Sequence, residues 1–326
     1  MSRIPDKPIL VTGANGFLGS CIVANLLLED LTTWGTDIDP SPAYSMRYKQ
    51  ADITSTEGLM EAIKGASKVI HAAGLAHVFS SKTSVSERFH RINAVGTANV
   101  AKAAAQAGVE HFVLISSVSV YGTFTDGEYN EETPCAPAGG YAESKYAGEL
   151  RAADIARQTG MPLTILRLAT LYGEGDPGNI KRLIGSIDRR RFIWVGQGTN
   201  RKSLLYKGDA ARACSLVALA PVHGVRIYNV SAPPCTMRQI VDTIYDVLGK
   251  RPIPGRIPAS VALGLSRILS LLPAKWTRGP LGTVGKWLAE DVYETRRFED
   301  AFGFKALIGI EEGLRREVDW YQSTKH

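Results

Sequence analysis

Cysteine is scarce in this sequence, and its four residues, Cys21, Cys135, Cys214 and Cys235, fall in no CxxC spacing. That excludes a disulfide framework and a cysteine-based zinc site, and it suits a reducing cytosol. No metal site is expected. Long apolar runs are missing as well. No stretch reaches the roughly eighteen residues needed to span a bilayer. The opening residues, MSRIPDKPILVTGANG, hold no apolar run ahead of the first strand, so no secretory leader is expected and a cytoplasmic location is. Acid is absent from one long segment: Arg251 to Lys286 carries six Lys or Arg and no Asp or Glu. A net charge of +6 admits phosphorylated small molecules, anionic membrane or nucleic acid as partners. Nucleic acid is disfavoured, because no basic helix or interleaved aromatic platform is visible. With 44% hydrophobic and 21% charged residues, neither disorder nor a fibrous class fits.

What is present is an alternation. Short apolar strands at 9–11, 33–37, 68–71, 111–117 and 163–168 alternate with helical stretches at 17–28, 56–64, 89–106 and 141–159. Such alternation means βαβ units and a parallel sheet covered on both faces. The expected fold is α/β, a Rossmann-type doubly wound parallel sheet with a smaller C-terminal α/β substrate lobe. The division is expected near residue 171, with a cofactor half over 1–171 and a substrate lobe over 172–326, some late segments returning to the first part. Beyond 171 glycine and proline increase, strands at 192–195 and 226–230 look isolated, and helices are expected at 237–248, 259–272 and 311–321.

Two motifs carry chemistry. Gly13, Gly16 and Gly19 form a GxxGxxG turn between the first strand and a helix that opens with Phe17 and Leu18. The glycines allow a tight exit, close approach to a pyrophosphate and close helix–strand packing, and the helix end favours phosphate. Asp37 follows Gly13 by 24 residues, near the spacing at which an acid holds the adenosine ribose. An acid there repels a 2′-phosphate, so NAD is expected over NADP. The second motif is Tyr141-Ala142-Glu143-Ser144-Lys145. Four residues on a helix put Tyr141 and Lys145 on one face. A nearby ammonium is expected to lower the phenol's pKa, so that Tyr141 exchanges a proton while hydride passes to nicotinamide. Ser117 emerges from the strand 111–117 and is placed to bond the reacting oxygen. His71, at a strand end, reads as structural.

Taken together, TGANGFLG, HAAG at 71–74, Asn93 within NAVGT, SSVSVYG at 116–122 and YAESK resemble the extended short-chain dehydrogenases, the family of NAD-dependent nucleotide-sugar epimerases and dehydratases. The resemblance covers most of the chain, including KGD at 207–209 and YNV at 228–230. It implies that Ser117, Tyr141 and Lys145 are catalytic. It implies that Asp52 and Ile53 contact adenine, that Ala72 and Ala73 line the cofactor channel, that Asn93 orients the lysine or a water, and that the backbone near Leu168 touches nicotinamide. It also implies a homodimer through the helices at 89–106 and 141–159.

The family's 4,6-dehydratases carry an Asp-Glu pair after the catalytic Ser or Thr. Val118 and Ser119 stand there, so dehydration is disfavoured and epimerisation or 4-ketosugar reduction is expected. The implied substrate is a nucleotide-diphosphate sugar, UDP ahead of dTDP, with Asn179, Arg201 and Lys202 as its binding residues. Lys202 takes the place of an arginine usual in the family. The segments 74–79, 178–187 and 200–205 resemble the branch that makes sugars of bacterial surface polysaccharides. Two other readings stay open: a 3β-hydroxysteroid-type dehydrogenase, and an NAD(P)-sensing regulator without turnover. The helical stretch 259–272 with its basic flanks raises weak peripheral membrane contact, against plain packing on its own domain.

Overall fold

A computed structural model describes residues 7–76, 83–122, 127–270 and 284–325. Seven parallel strands form the central sheet: β1 (Ile9–Thr12), β2 (Thr33–Asp37), β3 (Arg47–Gln50), β4 (Lys68–His71), β5 (His111–Ser117), β6 (Leu163–Leu168) and β7 (Val225–Val230). Their spatial order is β7-β6-β5-β4-β1-β2-β3. The order reverses between β1 and β4, which opens a crevice at the carboxyl ends of those strands, where doubly wound sheets bind ligands.

Alternation along each strand fills two cores. Ile9, Val11, Ile70, Val113, Ile115 and Leu166 face one side, under α1 (Phe17–Leu28) and α7 (Lys207–Leu219). Leu10, Val69, Phe112, Leu114, Leu163 and Ile165 face the other, under α2 (Leu59–Ile63), α4 (Thr97–Gln106) and α5 (Gly140–Thr159). A third core joins α6 (Asn179–Asp188), α8 (Met237–Val247) and α12 (Ile310–Ser323). The remaining helices are α3 (Thr83–Phe89), α9 (Ala259–Ser270), α10 (Val284–Leu288) and α11 (Arg296–Phe302).

Three departures from the sequence reading have physical causes. The strand near 226–230 is not isolated: β7 pairs in parallel with β6 over its whole length and forms the sheet's outer edge. α7 also belongs to the sheet, packed beside α1. The helix expected as one piece over 89–106 is three: α3, a π-helical segment His90–Gly96, and α4. The wider turn carries Asn93, and at Gly96 a Cβ would lie 2.8 Å from Ile53. π segments of this kind are frequent at functional sites. Most side chains of the helical stretch 259–272, and its flank at 273–283, lie outside the described residues. Among the described residues no helix is long and apolar enough to cross a membrane.

α12 carries a buried acid. Glu317 accepts from the Gly173 N–H at 2.8 Å and is fully buried. Burial, then the neighbouring Asp176 carboxylate, push its carboxyl up to about 9. Above the ordinary value of 4.5 the folded chain keeps a proton that the unfolded chain has lost, so Glu317 draws stability down as pH rises towards 9. Glu317→Gln removes the titrating group and keeps an acceptor for the Gly173 N–H. Its melting temperature should exceed that of the parent at pH 8, and the two should converge near pH 5. An equal gap at both pH values in thermal melts would show that Glu317 does not titrate.

Candidate active site

The glycine turn is built for close approach. Gly13 has φ +69°, and a Cβ there would sit 2.7 Å from the Ala73 backbone. A Cβ on Gly19 would lie 1.8 Å from the Gly13 carbonyl oxygen. α1 starts at Phe17 with no side chain capping its N-terminus and no acid in its first turn. Its N–H groups and positive end therefore suit an anion. Leu18 is buried in the core, so what it can offer a ligand is backbone. Asp37, one strand over, accepts from the Asn15 N–H at 3.0 Å and from the Ile38 N–H at 2.7 Å. A carboxylate has about four acceptor positions, which leaves room for two ribose hydroxyls. Asp52 is exposed and accepts from the Thr54 N–H at 2.8 Å, while Ile53 is buried against Gly96. These residues fit a dinucleotide whose pyrophosphate lies on the turn.

A chain of hydrogen bonds ties this turn to α5. The Ala73 N–H donates to Thr12 Oγ1 at 3.2 Å, and Thr12 Oγ1 lies 2.7 Å from His71 Nδ1. His71 Nε2 lies 3.1 Å from Thr97 Oγ1, whose hydroxyl donates to the Asn93 carbonyl at 2.7 Å. Thr97 must then accept from His71, which places the ring proton on Nε2. Burial, then the Lys145 charge, hold the His71 pKa down to about 3, so the ring stays neutral. Its role is structural. The Asn93 side chain accepts from the Leu75 N–H at 2.7 Å and donates to the Leu75 carbonyl at 2.9 Å and to Ser144 Oγ at 3.0 Å. Ser144 donates in turn to the Tyr141 carbonyl at 2.7 Å. Asn93 thus clasps the loop after β4 to the first turn of α5.

Ser117 and Leu168 are direct partners in the pairing of β5 with β6, so both stand at the carboxyl end of the sheet. Ser117 Oγ accepts from the Ser119 N–H at 3.2 Å, and the hydroxyl acts to lower the pKa of the Tyr141 phenol. Phe89 packs edge-on to the Tyr141 ring at 5.8 Å. Lys145 donates to the Ile115 carbonyl at 2.5 Å, and burial pushes its amine down to about 8, opposed by Glu149. One expectation needs correction. The Tyr141 phenol lies above its ordinary value, because burial outweighs the Ser117 hydroxyl and the amine is turned to Ile115. At neutral pH this phenol is an O–H donor.

Behind the site lies a network that motif reading missed. Glu149 accepts from Arg167 Nη2 at 2.7 Å and from Ser116 Oγ at 2.5 Å, with both charged residues almost fully buried. Arg167 Nη1 donates to the Tyr121 hydroxyl at 3.1 Å, which donates to Asn229 Oδ1 at 2.8 Å. The signal was available: an arginine inside the strand LTILRL cannot be buried without a partner.

The expected substrate residues are differently placed. Asn179 is exposed on the first turn of α6, where Asp176 already accepts from the Gly178 N–H at 2.7 Å and the Lys181 N–H at 3.2 Å. Arg201 pairs with Glu128 and Glu290, each at 3.2 Å, and Lys202 with Asp291 at 2.5 Å. Two cations thus face three carboxylates, so a diphosphate has to displace acids to be held here.

Residues 9–231 match the model of a family described as the NAD dependent epimerase/dehydratase family. The chain belongs to this family. Its members in the comparison include a 4-epimerase of N-acetyl-alpha-D-glucosaminyl-diphospho-ditrans,octacis-undecaprenol from Escherichia coli O157:H7, 28% identical over 96% of this chain and 94% of that one. A dTDP-glucose 4,6-dehydratase of Streptomyces niveus is 27% identical over 97% of this chain and 93% of its own. Among solved structures, MoeE5 in complex with UDP-glucose and NAD superposes with a TM-score of 0.78 at 28% identity, covering 98% of this chain and all (100%) of that one. Family membership makes this an NAD-dependent enzyme of the epimerase/dehydratase type, and the glycine turn and Asp37 supply the matching geometry.

Proposed function

We propose that the chain epimerises or reduces a nucleotide-diphosphate sugar at one carbon, the nucleotide being UDP ahead of dTDP, in the making of surface polysaccharide. The observation that carries this reading is Ser117 at the carboxyl end of β5 together with Tyr141 and Lys145 one turn apart on α5. Bound NAD supplies the hydride acceptor. Ser117 orients the sugar oxygen, and Tyr141 exchanges a proton with it. Val118 and Ser119 offer no acid–base pair for removing water across two carbons. Gly13, Gly16, Phe17, Leu18, Gly19, Asp37, Asp52, Ile53, Ala72, Ala73, Asn93 and Leu168 form the cofactor side. Asn179, Arg201 and Lys202 hold the diphosphate once Glu128, Glu290 and Asp291 yield. Residues 1–171 form the cofactor half and 172–326 the substrate lobe, with late segments returning to the sheet.

The test is mass spectrometry of products from a panel of UDP- and dTDP-sugars. A converted UDP-sugar supports the reading, and NAD that stays bound through purification favours the epimerase outcome. Loss of water from any panel member would overturn it. Two further parts of the proposal are assembly and location. α4 and α5 pair in a homodimer, supported by Leu150 at 49% exposure on α5, and light scattering at monomer mass would refute this. The enzyme works in the cytoplasm, and α9 packs on its own lobe, with weak contact to anionic membrane as the second reading, raised by exposed Val261 and by Arg251 and Arg256 ahead of it. Absence of liposome co-sedimentation at low salt would remove the membrane contact.

A further inference from the structure

We infer that Asn15 sets the enzyme's preference for NAD over NADP, by clasping the loop after β2 onto the glycine turn with Asp37 held between them. The side chain spans the two. Its Nδ2 donates to the Ser41 carbonyl at 2.6 Å and to the Tyr48 hydroxyl at 3.3 Å. Its Oδ1 accepts from the Ala43 N–H at 2.8 Å. The Asn15 backbone N–H holds Asp37 Oδ2 at 3.0 Å. Tyr48 extends the clasp, since its hydroxyl also donates to the Asp39 carbonyl. One residue of the phosphate turn therefore fixes both the acid that meets the ribose and the loop beside it.

Asparagine is the residue type this needs. Its amide is donor and acceptor at once, which an aspartate or an alanine is not. The second observation is where the nearby cations are. Arg47 lies over the Trp34 ring at 3.7 Å, and Lys49 is paired with Glu61 at 2.9 Å. Both are held by other partners while the clasp keeps Asp37 at the ribose position. A 2′-phosphate would bring two negative charges to a carboxylate with neither cation turned to meet them. Releasing the loop leaves Asp37 with only its two backbone partners and frees the 41–43 segment beside it, which loosens the ribose site for NAD and lessens the penalty on NADP.

Asn15→Ala tests this directly. Dissociation constants for NAD and NADP, read by quenching of tryptophan fluorescence, report binding without turnover. The NAD constant should rise by up to about tenfold, since the net worth of one to two hydrogen bonds bounds what the clasp contributes to ordering the ribose site. The ratio of the NADP to the NAD constant should fall by a similar factor. Tyr48→Phe cuts only the outer part of the clasp and should shift the ratio in the same direction by about threefold, so it carries the test if Asn15→Ala does not fold. Equal weakening of both cofactors in the folded variants would mean a merely structural role and overturn the inference. So would a parent enzyme that binds NADP ahead of NAD.

Discussion

Tyr141→Phe is expected to lower turnover about 10²- to 10⁴-fold, the usual contribution of a positioned acid or base. The ring stays packed against Phe89, so the fold and NAD binding should hardly change. Only the phenolic hydroxyl is lost. Steady-state kinetics beside a cofactor titration separates the two effects. A variant that keeps full activity would remove the acid–base assignment. Because burial holds the phenol above its ordinary value, the proton on Tyr141 is retained at neutral pH and is ready for donation to a ketone oxygen. Base action on an alcohol needs that proton to leave, and Ser117 acts in that direction by lowering the phenol's pKa.

The largest effect on stability is expected at Glu149. Glu149→Ala leaves the Arg167 guanidinium buried without its carboxylate, and breaking such a pair costs about 3–5 kcal/mol. Glu149→Leu combined with Arg167→Met should recover much of that loss, because a buried ion pair is often no better than well-packed apolar groups. Urea denaturation of the single and double variants measures this. A Glu149→Ala protein within about 1 kcal/mol of the parent would mean that Arg167 finds another partner. Glu149 also lies one helical turn beyond Lys145 and raises that amine's pKa, so the same variant should lose activity as well as stability.

The glycine turn, the acid after β2 and the YxxxK pair were legible because each needs a residue type at a spacing that local geometry dictates. The amphipathic helix α8 was legible for the same reason. α7 was not, since Asp209, Ala210, Ala211, Ala213, Cys214, Ser215, Val217 and Ala218 are all buried and leave no polar stripe to give a period. β3 was missed because Arg47, Lys49 and Gln50 are exposed on an edge strand with no apolar alternation. The π-helical segment at Asn93 was invisible, because its one extra residue per turn leaves no mark on composition. The paired state of Arg201 and Lys202 was hidden for another reason. Their carboxylates come from positions 128, 290 and 291, and only the folded chain brings those together.

The place of β7 bears on how this enzyme is made. Its strand closes the sheet beside β6, yet the chain reaches it only after the whole of α6 and α7 has been synthesised. A nascent chain cut off near residue 171 would leave the Leu163–Leu168 strand paired with β5 on one side and bare on the other. Ribosome-bound fragments of that length should therefore attract chaperones or aggregate. Release of a protease-resistant unit should begin only once residue 230 has cleared the exit tunnel.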